Sequence, residues 1–198
     1  MKKTILLGAL LLSAAAGYAQ ESRQDISVSG MGLIGPVVHG NTNVILTPSY
    51  TGGVLVSYRY LLTPHSGLEL NYSWAQNTNY YQCCSNLTRT PIHTRQQELT
   101  AGYVYSVSFK RYSPFAEVGV GGVVFTPIQE GSGSLDAKQN LSIGGMFGAG
   151  VAYELSPSFD IRAEYRGLFV KAPSFQTTFN TNRYEVISMP AVGIAYHF

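Results

Sequence analysis

The stretch Phe159-Asp160-Ile161-Arg162-Ala163-Glu164-Tyr165-Arg166 alternates without a break. Its odd-numbered members are Phe, Ile, Ala and Tyr, and its even-numbered members are Asp, Arg, Glu and Arg. Period two is the repeat of a β-strand, whose successive side chains point to opposite faces of the sheet. This strand therefore has one wholly apolar face and one face carrying four charges. Which of the two meets the surroundings decides the fold, and the neighbouring segments settle the question.

Seven more segments share the period and are rich in Val, Ile, Tyr, Phe and Gly: about 25–35, 49–61, 67–76, 95–109, 115–125, 139–154 and 183–198, with this one extending over 160–171. On the second, Val54, Val56, Tyr58 and Tyr60 oppose Gly53, Leu55, Ser57 and Arg59; on the third, Leu68, Leu70, Tyr72 and Trp74 oppose Glu69, Asn71 and Ser73. On the fourth, Leu99, Ala101, Tyr103 and Tyr105 oppose Gln96, Glu98, Thr100 and Ser106. The polar faces hold too much glycine and serine, and too few charges, to serve as the solvated surface of a soluble sandwich. No helical periodicity of useful length competes with them, so the chain reads as all-β.

Composition agrees. Of 198 residues, 45% are hydrophobic and 12% charged, with 21 Gly and 14 Tyr, whereas soluble domains carry roughly 25% charged residues. The length suits one domain. The first residues, MKKTILLGALLLSAAAGYAQ, combine Lys2 and Lys3, an apolar run from Thr4 to Leu12, and Gly17 and Ala19 around Tyr18. That is the pattern of a secretory signal peptide over residues 1–19, cut after Ala19, which leaves 20–198 as the folded domain. No cysteine follows the apolar run, so a lipid anchor there has no attachment point. Without Lys2 and Lys3, basic and acidic residues balance at 11 each, which argues against a nucleic-acid partner.

The links alternate in length. Leu62 to Ser66, Lys110 to Pro114 and Leu155 to Phe159 are short and each holds a proline, while 36–48, 77–94, 126–138 and 172–182 are longer. An exported chain with an even strand number, short turns at one end, long loops at the other and aromatics toward the strand ends fits an eight-stranded antiparallel up-and-down transmembrane β-barrel whose apolar face meets lipid. Turning the parity around would place the strand-seven charges in hydrocarbon, at up to ~2–4 kcal/mol for each arginine near the midplane.

In the last strand Val192, Ile194, Tyr196 and Phe198 share the apolar face, and Phe198 ends the chain. This row resembles the C-terminal signal by which Gram-negative barrel proteins are received by the barrel-assembly machinery. With PFAEVGVGG at Pro114 to Gly122, FDIRAEYR at Phe159 to Arg166 and the ending VGIAYHF, residues 20–198 resemble the small eight-stranded outer-membrane barrels of the OmpA, OmpX and opacity-protein type. The sequence stops at the last strand without the peptidoglycan-binding domain of full-length OmpA, so no cell-wall tether is expected. The resemblance implies a bacterial outer-membrane location, lipid as the surroundings, and a structural, membrane-integrity and surface-contact role in which loops meet a host or environmental ligand.

The interior of eight strands is just wide enough for side chains to fill. Arg59, Glu69, Glu98, Glu117, Asp160, Arg162, Glu164 and Arg166 all fall on inward parity, and buried charges persist only when paired and hydrogen-bonded. The expectation is an ion-paired plug in which Glu164 serves Arg162 and Arg166, with Gly144, Gly148 and Gly150 leaving room for the two arginines. A narrow ion or small-solute conduit through the same charges is the alternative. A lipid-modifying enzyme is a third reading, but His39, His65, His93 and His197 are scattered and none sits in a His-x-Ser pattern like that of the lipid A deacylase barrels, so no catalytic residue is assigned. No cofactor or metal is expected, since Cys83 and Cys84 are adjacent rather than spaced as zinc ligands. In an oxidising compartment that pair could close as a vicinal disulfide, link to another chain, or stay reduced.

Overall fold

The computed structural model describes residues 23–40, 44–83, 90–128, 139–175 and 181–198; the expected signal peptide and Cys84 lie outside them. Every regular element among these residues is a strand: β1 (Gln24–Leu33), β2 (Val38–His39), β3 (Val44–Pro48), β4 (Thr51–Thr63), β5 (Ser66–Cys83), β6 (Thr90–Ser106), β7 (Tyr112–Ile128), β8 (Asn140–Ser156), β9 (Phe159–Lys171) and β10 (Tyr184–His197). All pairings are antiparallel, and β1 and β4 to β10 pair in the ring β1-β4-β5-β6-β7-β8-β9-β10, with β10 returning to β1 from Asp25↔His197 to Met31↔Ala191. The result is a closed eight-stranded antiparallel barrel, which leaves no edge among its wall strands.

Exposure inverts the pattern of a soluble protein. Ile143 is 74% exposed and Val120 68%, whereas Arg166 is 0% and Arg162 1%. Glycine, serine and long charged side chains fill the inside because the lumen is narrow, and the branched and aromatic side chains form the outer belt because only hydrocarbon accepts them. On β9 the outward Phe159 and Phe169 mark the two ends of this belt: Phe159 stacks obliquely on Tyr196 with ring centres 5.1 Å apart, and Phe169 lies parallel to Tyr184 at 5.2 Å. Ten residues at ~3.3 Å each, tilted about 40°, separate the two levels by about 25 Å, the height of an outer-membrane apolar band.

The β1–β10 seam is continuous except at one step. Pro190 faces Gly32 there, and a proline has no N–H to give the ladder. Pairing resumes beyond it, where Ile34 and Ser188 exchange two backbone hydrogen bonds of 2.9 and 2.8 Å.

The structure corrects the expected loop over 77–94. β5 runs on to Cys83 and β6 begins at Thr90, with the register Thr78↔His93 and Tyr80↔Pro91 continuing that of the barrel wall. Asn77 to Asn79 and His93 to Arg95 put polar side chains on both faces of this hairpin, so the apolar–polar contrast that marks a strand in sequence disappears there. The expected loop over 36–48 likewise contains β2 and β3, and β3 takes up the side of β5 that β4 leaves free, pairing Val44↔Cys83 through Pro48↔Asn79. At the opposite end β6 stops at Ser106 rather than 109, and Phe109 bridges Tyr112 around Lys110, which holds a φ of 54°.

Candidate functional site

The lumen has two levels. In the lower half, toward the termini, the barrel register sets charges side by side. Arg59 and Glu69 are directly opposed on β4 and β5, and both Nε and Nη2 of the arginine approach Glu69 Oε2 at 2.5 Å. Ser73 opposes Glu98 and donates to its Oε2 at 2.9 Å, while Thr100 donates to Oε1 at 3.3 Å.

Two arginines from β9 then cross the interior. Arg166 Nη2 donates to Glu98 Oε1 at 3.1 Å and to Thr100 Oγ1 at 3.0 Å, and its Nε donates to Glu117 Oε1 at 3.2 Å. Arg162 Nη2 donates to Asp25 Oδ1 at 3.0 Å and Nη1 to Ser27 Oγ at 3.3 Å, with Glu69 Oε2 3.9 Å away. The ring of Phe115 lies beneath both Arg59, at 4.6 Å, and Arg162, at 5.7 Å. Cations over an aromatic face gain from its quadrupole, more so where water is excluded.

Seven of the eight charges read from the sequence are brought into one buried layer. Asp160 stands apart at the lower rim, where it pairs with His197 Nε2 at 2.8 Å. Glu164 is buried at 7% exposure, yet it makes no ion pair within 4.0 Å among the described residues, and its Oε2 has no hydrogen-bond partner. Glu164 thus acts on the two arginines through space rather than by a direct pair, and their guanidinium groups reach to β1, β5, β6 and β7. The role of the glycines is corrected. A Cβ at Gly148 would strike the Glu117 carboxylate, and one at Gly150 would lie 2.6 Å from Phe115 Cζ, so these gaps accommodate Glu117 and Phe115 rather than Arg162 and Arg166.

Asp25, Ser27 and Phe115 complete the layer and were not singled out from the sequence. The alternation Asp25, Ser27, Ser29, Met31 on β1 was the available signal for the first two. Counting Asp25, Glu69, Glu98, Glu117 and Glu164 against Arg59, Arg162 and Arg166, acids outnumber bases by two in this layer.

The upper half of the lumen holds an apolar cluster beside the buried polar Asn79, Thr94, Gln96 and Glu185. Leu33, Leu46, Tyr81, Phe125, Leu168 and Phe175 belong to one buried cluster. Tyr81 closes it from above the lipid, its hydroxyl donating to the Pro173 carbonyl at 3.0 Å and its ring meeting Phe175 edge-on. Burial, helped by the nearby Glu185 carboxyl, pushes that hydroxyl's pKa above the ordinary phenol value.

Of the remaining residues, His39 lies on β2 and His65 in the short β4–β5 turn, and both are away from the lumen layer. His93 Nδ1 is 2.9 Å from Thr78 Oγ1 on the outer hairpin. Cys83 is the last residue of β5. Among the described residues no group of three or more His, Cys, Asp or Glu is arranged to hold a metal. Val192, Ile194 and Phe198 are exposed on the lipid face, and Tyr196 stacks against Phe198 with ring centres 6.1 Å apart.

A family model described as the outer membrane protein beta-barrel domain matches residues 4–198. The chain belongs to that family. Its members' location, the bacterial outer membrane, is therefore this protein's location, and lipid surrounds its outer face. No curated protein matches the sequence. Among solved structures, the outer membrane protein OprG from Pseudomonas aeruginosa is similar at a TM-score of 0.67 and 14% identity, covering 90% of this chain and 97% of that one. Neisserial surface protein A gives 0.58 and 14%, covering 89% and 98%. The outer membrane protein AlkL, solved in lipid bilayers, gives 0.57 and 20%, covering 92% and 94%. At these identities the likeness is one of fold.

Proposed function

We propose that the protein is a non-enzymatic, non-conducting outer-membrane scaffold, exported by a signal peptide cut after Ala19, that contributes to membrane integrity and presents a contact surface to the cell exterior. The reach of Arg162 and Arg166 into the lumen carries this reading, because guanidinium groups that run from β9 to β1 and to β6 and β7 fill a cross-section that has little spare room. The apolar cluster above them makes a second obstruction. The row Val192, Ile194, Tyr196 and Phe198 serves as the recognition strand for the barrel-assembly machinery.

The contact surface is the sheet β2-β3-β5-β6 above the lipid. Backbone pairing keeps it rigid, and rigid scaffolds lower the ordering cost of recognition. Tyr80 on β5 is exposed, as are Val37 just before β2 and Tyr50 in the β3–β4 link, and aromatic side chains of this kind dominate protein contact energetics. Cells displaying the wild-type protein should adhere to a host or environmental surface better than cells displaying Tyr50→Ser with Tyr80→Ser at equal surface amounts. Equal adherence would remove the contact role.

One observation favours a narrow conduit instead. Ser57 Oγ, Glu69 Oε1, both polar atoms of the Asn71 amide and Glu164 Oε2 are buried without hydrogen-bond partners among the described residues, and such groups call for water. A file of water past Glu164 would give a small cation-selective conductance.

A further inference from the structure

The tight turn between β6 and β7 sets Lys110 and Arg111 side by side at the lower end of the barrel, where the links are short and which is therefore the periplasmic end. The other two short links, Leu62 to Ser66 and Leu155 to Phe159, hold no lysine or arginine. This turn is fixed in place. Phe109 and Tyr112 exchange backbone hydrogen bonds of 2.7 and 2.9 Å across it, and the Glu154 amide of β8 donates to the Arg111 carbonyl at 2.9 Å. Both cations are exposed, and neither makes an ion pair among the described residues. They border an open recess whose other walls are Ser108, Phe109, Tyr112 and Tyr153. Phe109 is 61% exposed and Tyr112 56%, and the Tyr112 ring leans on that of Tyr153 with centres 5.0 Å apart. The two tyrosines are paired in the wall and share the outward parity of the lipid-facing Val118 and Val151.

One recess thus joins an aromatic shelf that continues the lipid-facing wall to two cations without anionic partners. A free anion would serve the cations and leave the rings bare, and a neutral lipid would do the reverse. A ligand that carries a negative headgroup on an apolar chain serves both. The periplasmic leaflet of an outer membrane is built of glycerophospholipid, whose phosphate lies where the apolar band ends, the level that aromatic girdles mark. Arginine meets phosphate oxygens with parallel N–H donors and lysine meets them as a point charge. Basic residues at a membrane surface select anionic headgroups over neutral ones. We infer that this recess binds one anionic glycerophospholipid of the periplasmic leaflet, its phosphate held by Lys110 and Arg111 and an acyl chain laid along Phe109, Tyr112 and Tyr153.

The test uses the full barrel in maltoside micelles with dioleoyl phosphatidylglycerol or dioleoyl phosphatidylcholine added, and native mass spectrometry counts the lipid retained on the folded protein. The two lipids share their chains and their phosphate and differ in net charge. Phosphatidylglycerol should half-saturate the barrel at a concentration about fivefold or more below that of phosphatidylcholine. Lys110→Asn with Arg111→Gln should erase this preference; asparagine is chosen because Lys110 holds a φ of 54°, which asparagine tolerates. Arg111→Gln alone should reduce it by at least half, which keeps the test available if the double variant does not insert. Arg23→Ser, which removes the exposed cation before β1, four strands from β7 in the ring, should keep it. Equal retention of the two lipids by the wild type would overturn the site. A preference that survives in the double variant would also overturn it, placing the lipid at other cations. Displacement of phosphatidylglycerol by glycerol phosphate at the same concentration would overturn it too, since the phosphate alone would then suffice.

Discussion

Arg166 on β9 and Glu98 on β6 meet inside the lumen, Nη2 to Oε1 at 3.1 Å, although the two strands stand three places apart in the ring. Both side chains are fully buried. Breaking such a pair by removing one partner costs about 3–5 kcal/mol, because the survivor keeps its charge without compensation. Glu98→Ala should therefore lower the urea midpoint of the folded barrel strongly, and Arg166→Met should restore part of that loss when combined with it. Additive losses in the double variant would mean that the two residues do not interact.

Glu164 behaves differently. Since it has no ion pair in a layer where acids exceed bases, Glu164→Gln removes a charge that nothing neutralises directly. Its urea midpoint should equal or exceed that of the wild type, in contrast with Glu98→Gln. A loss as large as that of Glu98→Gln would place Glu164 among the working partners of Arg162 and Arg166.

Gly148 marks a close approach. Any Cβ there meets the Glu117 carboxylate and lies 3.0 Å from the Tyr165 carbonyl, so Gly148→Leu overpacks the wall against a fixed ion pair. The expected cost is about 1–3 kcal/mol, read as a lowered midpoint in the same urea titration. Ala149→Leu, outward on the lipid face, is the control and should cost less.

The alternation of FDIRAEYR made the barrel legible, because lipid outside and a packed charged lumen inside impose opposite chemistry on adjacent residues. That contrast ends where the lipid ends. Asn79 and Thr94 are buried on the outer hairpin beside the polar Asn77 and Thr78, and a stretch polar on both faces carries no period to read. The identity of the charge partners was hidden for another reason. Arg162 meets Asp25, 137 positions away in the chain, and only the closure of β10 onto β1 brings β1 within its reach. Parity says that a side chain points inward but not how far along the lumen it leans.

The lipid-facing end of β10 gives a further expectation. Phe198 is outward and stacks near Tyr196, whereas His197 points inward to Asp160. Phe198→Ser should reduce the amount of folded barrel in outer-membrane fractions well below that of His197→Ser. Equal yields would contradict the role of this row in assembly.

Cys83 ends β5, and an adjacent pair closes too short a loop for a disulfide to restrain the unfolded chain appreciably. Cys83→Ser with Cys84→Ser should keep both the folded gel band and its urea midpoint. A lost folded band would assign the pair a structural role.

The occluded lumen is tested most directly by planar-bilayer recording of the purified barrel in 1 M potassium chloride, with Arg166→Ala recorded beside it. The wild type should give no discrete conductance steps, and Arg166→Ala, which withdraws the side chain spanning β6, β7 and β9, should give small ones. Stable, reproducible steps from the wild-type protein would contradict the plug and make the barrel a conduit.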